Sequence, residues 1–428
     1  MKALSKTSLL ATLKEANDVF RFCSKKLKIL AAISWGATSA DEFFKKKAAV
    51  MPTPAYHIDV DGLSALVDSL VELAPKLRGE HPVYQWLTRT QESYVLGAKL
   101  LLEIGTKHFY EVSSELYGNS RSQLFNGKVT NLDLANSISN RISVCNVNDV
   151  AESIVLKSSE TFSADLAKWL RVRKPQLPVK IVFTDDIAAK VVAGMSRVRV
   201  RRDARFSQLE VSALWNHEIE THALTAHNGS LQNNCDFLFS AGPRTTMTQE
   251  GLAVFSEIYN HSMSQRRFLA ICDRVHAVEM VEKGADFMEL YRWYRERSDN
   301  DREAFFSASR IFRGAKLEGS YPFTKDVVYI GGLLGIYSFL QVAVKNQNRL
   351  LVESLFCGRM ALEDVGTIAW LRQHGILNPP HFIPQWLRNW EALLSFFSFT
   401  GFLSSVDMSS FQAYVESHFT LQDWDLGV

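Results

Sequence analysis

The sequence contains few cysteines and has almost no net charge. Its cysteines are dispersed without a Cys-x-x-Cys pair, which argues against a disulfide framework and against a thiolate metal site. The 48 basic and 46 acidic side chains give a net charge of +2. Because no overall field attracts nucleic acid or acidic lipid, we expect neither as a partner. The five cysteines are Cys23, Cys145, Cys235, Cys272 and Cys357.

The sequence also shows no long apolar run and no targeting signal. The apolar run at residues 9–13 ends at Lys14 and Glu15, so it is too short for a signal peptide. No run of about 18 apolar residues is apparent, which is the length that a membrane span needs. We therefore expect a cytoplasmic protein without a membrane-spanning helix. Hydrophobic residues make up 46% of the 428 residues, enough for a large core.

Most of the chain shows the periodicity of amphipathic helices. A polar, Asn-rich stretch at 128–148 interrupts this pattern and predicts a linker. We place a boundary near residue 145, between an N-terminal helical region (1–145) and a catalytic domain (146–428) with a C-terminal helical subdomain. The N-terminal helices are predicted at 7–35, 60–76 and 83–105.

Two segments before the middle of the chain have the residue pattern of β-strands. Residues 178–183 and 197–201 have strand character, while 149–171 and 185–193 predict helices. The second strand alternates arginine and valine, so its arginines share one face. At a sheet edge, Arg199 and its neighbours could receive acidic residues or a terminal carboxylate. The alternative is that they are exposed edge charges that prevent aggregation.

Two histidines and a glutamate stand close together after these strands. Ser207 and Glu210 have the spacing of a capping box, so we expect a helix to begin there and to carry His217, Glu218 and His222. In the familiar zinc-binding helix the two histidines are four positions apart. Here they are five apart, and at about 100° per residue they would diverge by roughly 140° on a regular helix.

One inserted residue is what a π-bulge accommodates, and such bulges often occur at functional sites. We therefore predict a local widening of the helix between Glu218 and His222. The alternative is that His217 and His222 are ordinary helix histidines. Glu250, on a predicted second helix, favours the metal site, because two histidines and one glutamate are a common zinc-ligand set.

Several neighbouring residues are further candidates. Glu220 and Glu257 could orient the imidazoles from behind, and Glu257 is also a rival ligand. His261 and His276 are alternative ligands, although each has the simpler explanation of an ordinary surface or core histidine.

The motifs HEIETH at 217–222 and TQEGLAVFSE at 248–257 resemble those of a known family. The chain is similar to the bacterial QEGLA-motif proteins and to the microtubule-associated tyrosine carboxypeptidases, which are zinc peptidases with an H-E-x-x-x-H motif. The flanking motifs SSELYGN, RVRVRRDARFS, HAVEMVEKGADF, RIFRG and PFTKDVVYIGGL extend the resemblance along nearly the whole chain.

The resemblance implies a fold and a set of roles. We expect an α+β, predominantly α-helical protein, with a zincin-like core whose small β-sheet precedes the zinc helix. His217, His222 and Glu250 would bind one Zn²⁺ per chain, and Glu218 would be the general base for metal-activated water. The implied substrate is the C-terminus of a peptide or protein. The enzyme would release its last residue, which could be aromatic.

A carboxypeptidase needs two more groups around such a centre. One is a donor for the oxyanion of the tetrahedral intermediate, and we assign Tyr329 to this role. The other is a cation for the terminal carboxylate, to which arginine presents a bidentate fork. Arg310, Arg313 and Lys325 are candidates for this second role.

Two other functions remain open. The protein could be a catalytically silent regulator that retains the metal site and binds a partner through the aromatic region at 336–428. It could also be a non-haem iron enzyme, because two histidines and one carboxylate also suit iron. Glu218, directly beside a ligand histidine, favours zinc hydrolysis. The oligomeric state is left open by the sequence.

Overall fold

Helices form most of the protein, and its strands lie in one small sheet. The computed structural model describes residues 6–143, 156–185, 187–298, 300–407 and 409. The protein is 66% helical with a three-stranded sheet, so the expected α+β, predominantly α-helical class is confirmed. The boundary near residue 145, Cys145 and the start of the helix predicted at 149 lie outside the described residues.

The N-terminal region is helical, but its helices are shorter and more numerous than predicted. The predicted linker at 128–148 is wrong over most of its length, because residues 131–143 form a helix that packs against residues 265–282. Ala135 is fully buried there, so a few apolar side chains outweigh the polar composition. The helices are α1 (Lys6–Lys26), α2 (Ile29–Ala32), α3 (Ala37–Lys45), α4 (Val60–Leu73), α5 (Pro82–Leu102), α6 (Lys107–Tyr117) and α7 (Asn131–Ser143).

Aromatic contacts join the N-terminal helices to the rest of the described chain. Phe20 of α1 lies 5.8 Å from Tyr94 of α5 and 5.0 Å from Phe237, measured between ring centroids. The backbone N–H of Phe237 also donates to the Asn17 side chain at 3.0 Å. These buried contacts hold α1 and α5 against the segment that follows the histidine-bearing helix.

The sheet has the order β1 (Lys180–Thr184), β3 (Arg197–Arg201), β2 (Val191–Ala193). The helix predicted at 185–193 is wrong, because none of its described residues is helical and Val191–Ala193 forms β2. The β-branched side chains of Val191 and Val192 favour a strand. β1 pairs with β3 in parallel and β2 pairs with it in antiparallel orientation. Because β3 is the middle strand, it has no free edge at which a peptide could add.

The remaining described helices lie between residues 159 and 405. They are α8 (Ser159–Arg173), α9 (Gln208–Leu214), α10 (Leu224–Ser230), α11 (Thr246–Tyr259), α12 (Gln265–Glu282), α13 (Phe287–Arg295), α14 (Asp301–Phe312), α15 (Val328–Lys345), α16 (Arg349–Ser354), α17 (Val365–Gln373), α18 (Gln385–Arg388) and α19 (Trp390–Ser405). A wide turn at Trp215–Ala223 joins α9 to α10, and a 3₁₀ turn at Thr324–Val327 leads into α15.

The segment Thr324–Lys345, which includes α15, is long and apolar enough to cross a membrane by length and composition. The expectation that no such stretch is present was therefore wrong. In its most apolar window, 61% of the residues are buried inside the protein. A core helix passes the same test, because burial against protein and burial in lipid select the same side chains.

The aromatic C-terminal helices contribute to the core. Trp386 of α18 is buried and donates its Nε1–H to the hydroxyl of Ser256 on α11 at 2.7 Å. Phe397 of α19 stacks on Phe255, also on α11. In contrast, Phe399 and Phe402 of α19 are about three-fifths exposed, at 60% and 59%.

Two glycines let α11 and α15 touch through their backbones. A Cβ added at Gly251 would lie 2.1 Å from the carbonyl carbon of Gly332, and a Cβ added at Gly332 would lie 2.2 Å from the carbonyl oxygen of Met247. No side chain fits between helices at this distance. The contact fixes Glu250, the neighbour of Gly251, beside the turn that leads into α15.

We expect Gly251→Ala to lower the free energy of unfolding by about 1–3 kcal/mol or more, because clashing backbones cannot relax by rotating a side chain. Urea unfolding followed by circular dichroism measures the change. The control is Gly366→Ala on α17, where an added Cβ has nothing within 4 Å. It should leave stability unchanged or raise it by up to about 1 kcal/mol. Equal stabilities of the two variants would contradict the close contact.

Candidate active site

The histidine-bearing helix begins and widens as the sequence predicts. Both bonds of the capping box form: the Ser207 hydroxyl accepts from the N–H of Glu210, and the Glu210 carboxylate accepts from the N–H of Ser207. The helix then has π geometry over Trp215–Ala223. In a π-turn each N–H bonds the carbonyl five residues earlier, so residues five apart lie one above the other. The predicted widening is confirmed.

His217, His222 and Glu250 converge. Their potential ligand atoms all lie within 4.8 Å of one another, and no other such cluster of three is found among the described residues. The Nε2 atoms of His217 and His222 lie 3.4 Å and 3.7 Å from Oε2 of Glu250. The two rings meet nearly at right angles, with 4.8 Å between centroids. The structure therefore brings together the three side chains that the sequence singled out as possible metal ligands.

Glu250 is shared between the imidazoles and a lysine. Its second oxygen, Oε1, accepts a hydrogen bond from Lys325 at 3.2 Å, at the turn that leads into α15. Burial raises the pKa of Glu250, but Lys325 and the two histidines outweigh burial and hold this pKa well below its ordinary value. The carboxylate therefore stays ionised, with Oε2 directed at the histidines.

A second carboxylate supports His217 from behind. Oε1 of Glu257 lies 2.7 Å from Nδ1 of His217, and Arg267 binds Glu257 through Nε at 2.5 Å and through Nη2 at 2.7 Å. Burial raises the pKa of Glu257, yet Arg267 and His217 lower it to about 2. An ionised Glu257 on Nδ1 leaves Nε2 of His217 as the free ligand atom. This geometry favours Glu257 as an orienting group over Glu257 as a rival ligand.

Glu218 is held by the edge strand of the sheet. Its Oε2 accepts a hydrogen bond from the backbone N–H of Ala193 in β2 at 2.6 Å. The side chain is buried on the same wide turn as the two histidines. One carboxylate oxygen is therefore fixed by the backbone, and the other is left for a proton.

Glu220 does not orient the imidazoles. It lies 3.3 Å from the ammonium of Lys174, and it accepts a hydrogen bond from the N–H of Gln385 at 2.9 Å. Lys174 also donates to the carbonyl of Ile383 at 2.8 Å. This buried ion pair ties the end of α8 and the start of α18 to the histidine-bearing helix.

The predicted cluster around Tyr329 lies next to Glu250. The Tyr329 ring lies 4.3 Å from the guanidinium of Arg274 and 5.4 Å from the ammonium of Lys325. Arg310 binds Asp326 through two bonds of 2.5 Å and 2.8 Å. Arg313 is 8% exposed, and burial lowers its pKa to about 10, with Arg310 adding to the effect.

The other candidates lie away from the convergent side chains. Arg199 is exposed on the middle strand of the sheet, whereas Arg201 turns inward, bonds the carbonyl of Ala188 and is 3% exposed. The three arginines of β3 therefore do not form one basic face. His276 bonds Asn136 at 3.0 Å, and His261 is exposed, so neither replaces a member of the triad.

Arg359 is a residue of the site that sequence reasoning missed. Its Nη2 donates to the carbonyl of His222 at 3.0 Å, and its buried Nε has no hydrogen-bond partner in the part of the chain described. Burial lowers the pKa of Arg359 to about 10, while Glu218 and Glu250 oppose this shift. It lies in the turn after α16, where no local pattern distinguishes it. Lys174, Arg267 and Arg274 were missed for the same reason.

The convergent donors fit a zinc ion. When zinc–ligand bonds are about 2.0–2.1 Å long and meet at tetrahedral angles, two ligand atoms lie roughly 3.3 Å apart. The separations of 3.4 Å and 3.7 Å from the two Nε2 atoms to the Glu250 oxygen are close to this value. The orienting carboxylate behind His217 is also typical of such sites. His217, His222 and Glu250 could therefore hold a metal ion without a large rearrangement.

The family comparison agrees with this arrangement. The family model for the microtubule-associated tyrosine carboxypeptidases matches residues 41–405, most of the chain. This match implies that the protein is a carboxypeptidase-type hydrolase. The chain belongs to this family. No significant match was found among curated proteins.

We expect Glu220→Leu to lower the free energy of unfolding by about 3–5 kcal/mol, because it leaves the buried ammonium of Lys174 without a counter-ion. Chemical denaturation measures the loss. Adding Lys174→Met should recover most of it, since replacing both members of a buried pair is often neutral. A double variant no more stable than Glu220→Leu would show that the ion pair is not the source of the effect.

Proposed function

We propose that the protein is a zinc-dependent carboxypeptidase that binds one Zn²⁺ per chain through His217, His222 and Glu250. The observation that carries the proposal is the convergence of these donors at the π-turn. Glu218 on the same turn supports hydrolysis over iron-dependent oxidation, because a base next to the metal serves water attack. The proposed substrate is the C-terminus of a peptide or protein, with preference for an aromatic last residue.

Glu218 is the proposed general base. A bound zinc would supply Lewis-acid chemistry, which makes water more acidic and polarises the scissile carbonyl. Because Ala193 occupies Oε2 of Glu218, the free oxygen Oε1 accepts the proton of the attacking water. Glu218 then returns this proton to the nitrogen of the leaving amino acid. The fixed backbone bond prevents the carboxylate from rotating between the two steps.

The surrounding charges have supporting roles in this proposal. Glu257 and Arg267 keep the His217 ring in one orientation, and Lys325 does the same for Glu250. Tyr329 is the proposed donor to the oxyanion, because Arg274 and Lys325 beside its ring stabilise negative charge that develops nearby. We also propose a cytoplasmic location, supported by the unpaired, buried state of Cys23, Cys235, Cys272 and Cys357.

Glu218→Gln should retain about one zinc per chain and lose peptide hydrolysis by about 10²–10⁴-fold, because the base is removed while the ligands remain. Elemental analysis of purified protein gives the metal content. Mass spectrometry of a C-terminal peptide library gives the released residue.

Chelation of the wild-type protein, followed by zinc addition, is the control for metal dependence. Recovery with iron alone would favour a non-haem iron enzyme. Zinc retention without hydrolysis of any library peptide by the wild type would favour the catalytically silent regulator.

Glu257→Gln should weaken zinc binding by about 10–100-fold, because the His217 ring loses its charged anchor. Competition with a chromogenic chelator measures the affinity. The control is Glu115→Gln, which removes an exposed carboxylate of α6. If a fully folded Glu257→Gln protein bound zinc with wild-type affinity, Glu257 would not be the group that orients His217.

A further inference from the structure

Most cations around the site already have an anionic partner. Lys325 is bonded to Glu250, Arg267 to Glu257, and Arg310 to Asp326 through both oxygens. A substrate carboxylate could bind one of these groups only by displacing a protein carboxylate from a largely buried pair. The earlier candidates Arg310 and Lys325 are therefore poorly suited to bind the substrate carboxylate.

Arg359 is different, because it forms no ion pair with any residue in the described ranges. Its Nη2 bonds a neutral carbonyl, that of His222, and its Nε–H is unpartnered. Arg313 also has an unpartnered Nε, but it is more deeply buried and lies beside Arg310 and Asp326. Arg359 instead contacts the backbone of a proposed metal ligand.

The position of Arg359 suits an anionic ligand. The guanidinium lies within the electrostatic field of Glu218 and Glu250, and it is only partly exposed to water. Both carboxylates have other partners, since Ala193 bonds Glu218 and Lys325 bonds Glu250. Keeping a charge away from water without a bonded counter-ion costs free energy. An anion that binds Arg359 therefore contributes more binding free energy than it would at an arginine on the surface.

Arg359 also lines a small recess between α5 and the segment that leads into α11. Tyr94, Trp86 and Phe237 give this recess aromatic walls, and Ser240 and Thr245 add hydroxyl groups. Arg244 and Asp364 also line the recess but are paired with each other, so Arg359 is the one cation of this lining without an ion pair in the described chain. A mixed apolar and polar lining with such a cation is typical of sites that orient a small charged ligand.

We propose that Arg359 binds the α-carboxylate of the C-terminal residue of the substrate, an inference that rests on the proposed carboxypeptidase function. The free Nε–H and a neighbouring N–H of the guanidinium form a fork that matches the two carboxylate oxygens. Contact with the His222 carbonyl fixes the distance between this fork and the metal ligands. Arg359 thereby selects a free chain end and excludes internal peptide bonds.

The experiment compares acetyl-Gly-Gly-Tyr with a free carboxylate and the same peptide as a C-terminal amide. In the Glu218→Gln background, which does not turn over substrate, Arg359→Met should weaken binding of the free acid on the order of 100-fold and leave amide binding unchanged. Arg359→Lys keeps the charge but not the fork, so its affinity for the free acid should fall roughly 10-fold. Isothermal titration calorimetry of the zinc-loaded proteins measures both.

The control is Arg171→Met, which removes an exposed arginine of α8 and should not affect either peptide. Zinc content is measured in every variant, because Arg359 contacts the backbone of His222. The inference is overturned if acid and amide binding fall together, if both are unchanged, or if zinc is lost in parallel with affinity. Since binding is read without turnover, a wild-type enzyme that releases no residue would count against the proposed function and not against this site.

Discussion

The structure depends on one ionised carboxylate, Glu250, held between two imidazoles and an ammonium group. Its Oε2 lies 3.4 Å and 3.7 Å from the histidine nitrogens, and its Oε1 lies 3.2 Å from Lys325. A buried carboxylate is stable only when it is paired, so three elements must converge on it: the π-turn, α11 and the turn before α15. The backbone contact between Gly251 and Gly332 brings α11 and α15 close enough for this convergence.

Most of the remaining charges follow the same rule, and one exception to it is informative. Glu257 is paired with Arg267, Glu220 with Lys174 and Asp326 with Arg310. These pairs hold the helices at fixed distances, and Glu257 also holds the His217 ring in place. Among the described residues, Arg359 is a cation beside the site without such a pair. An enzyme that recognises a charged chain end needs one site where the missing partner is supplied by the substrate.

Local features of the site could be predicted because they depend on neighbours in sequence. The capping box at Ser207 and the extra residue between Glu218 and His222 both act within one or two turns, so the start of the helix and its π-turn follow from residue order. Helix α7 was misassigned because tertiary packing decided it: Ala135 is buried against α12, which is distant in sequence. The strand at 191–193 was misassigned although its β-branched residues favour a strand and its partner, Val200, follows in the next strand.

The sequence by itself determined the helical class and the helix that carries His217 and His222, because capping and periodicity act between near neighbours. It also pointed to Glu250 as a third possible metal ligand, because two histidines and a glutamate are a common ligand set. Only the tertiary structure decided which cation serves which carboxylate. Lys325, Arg310 and Arg359 are chemically similar cations in a linear sequence. They differ because each lies beside a different group: Glu250, Asp326 and an uncharged backbone carbonyl. Such pairings depend on distances between distant segments, which no local pattern encodes.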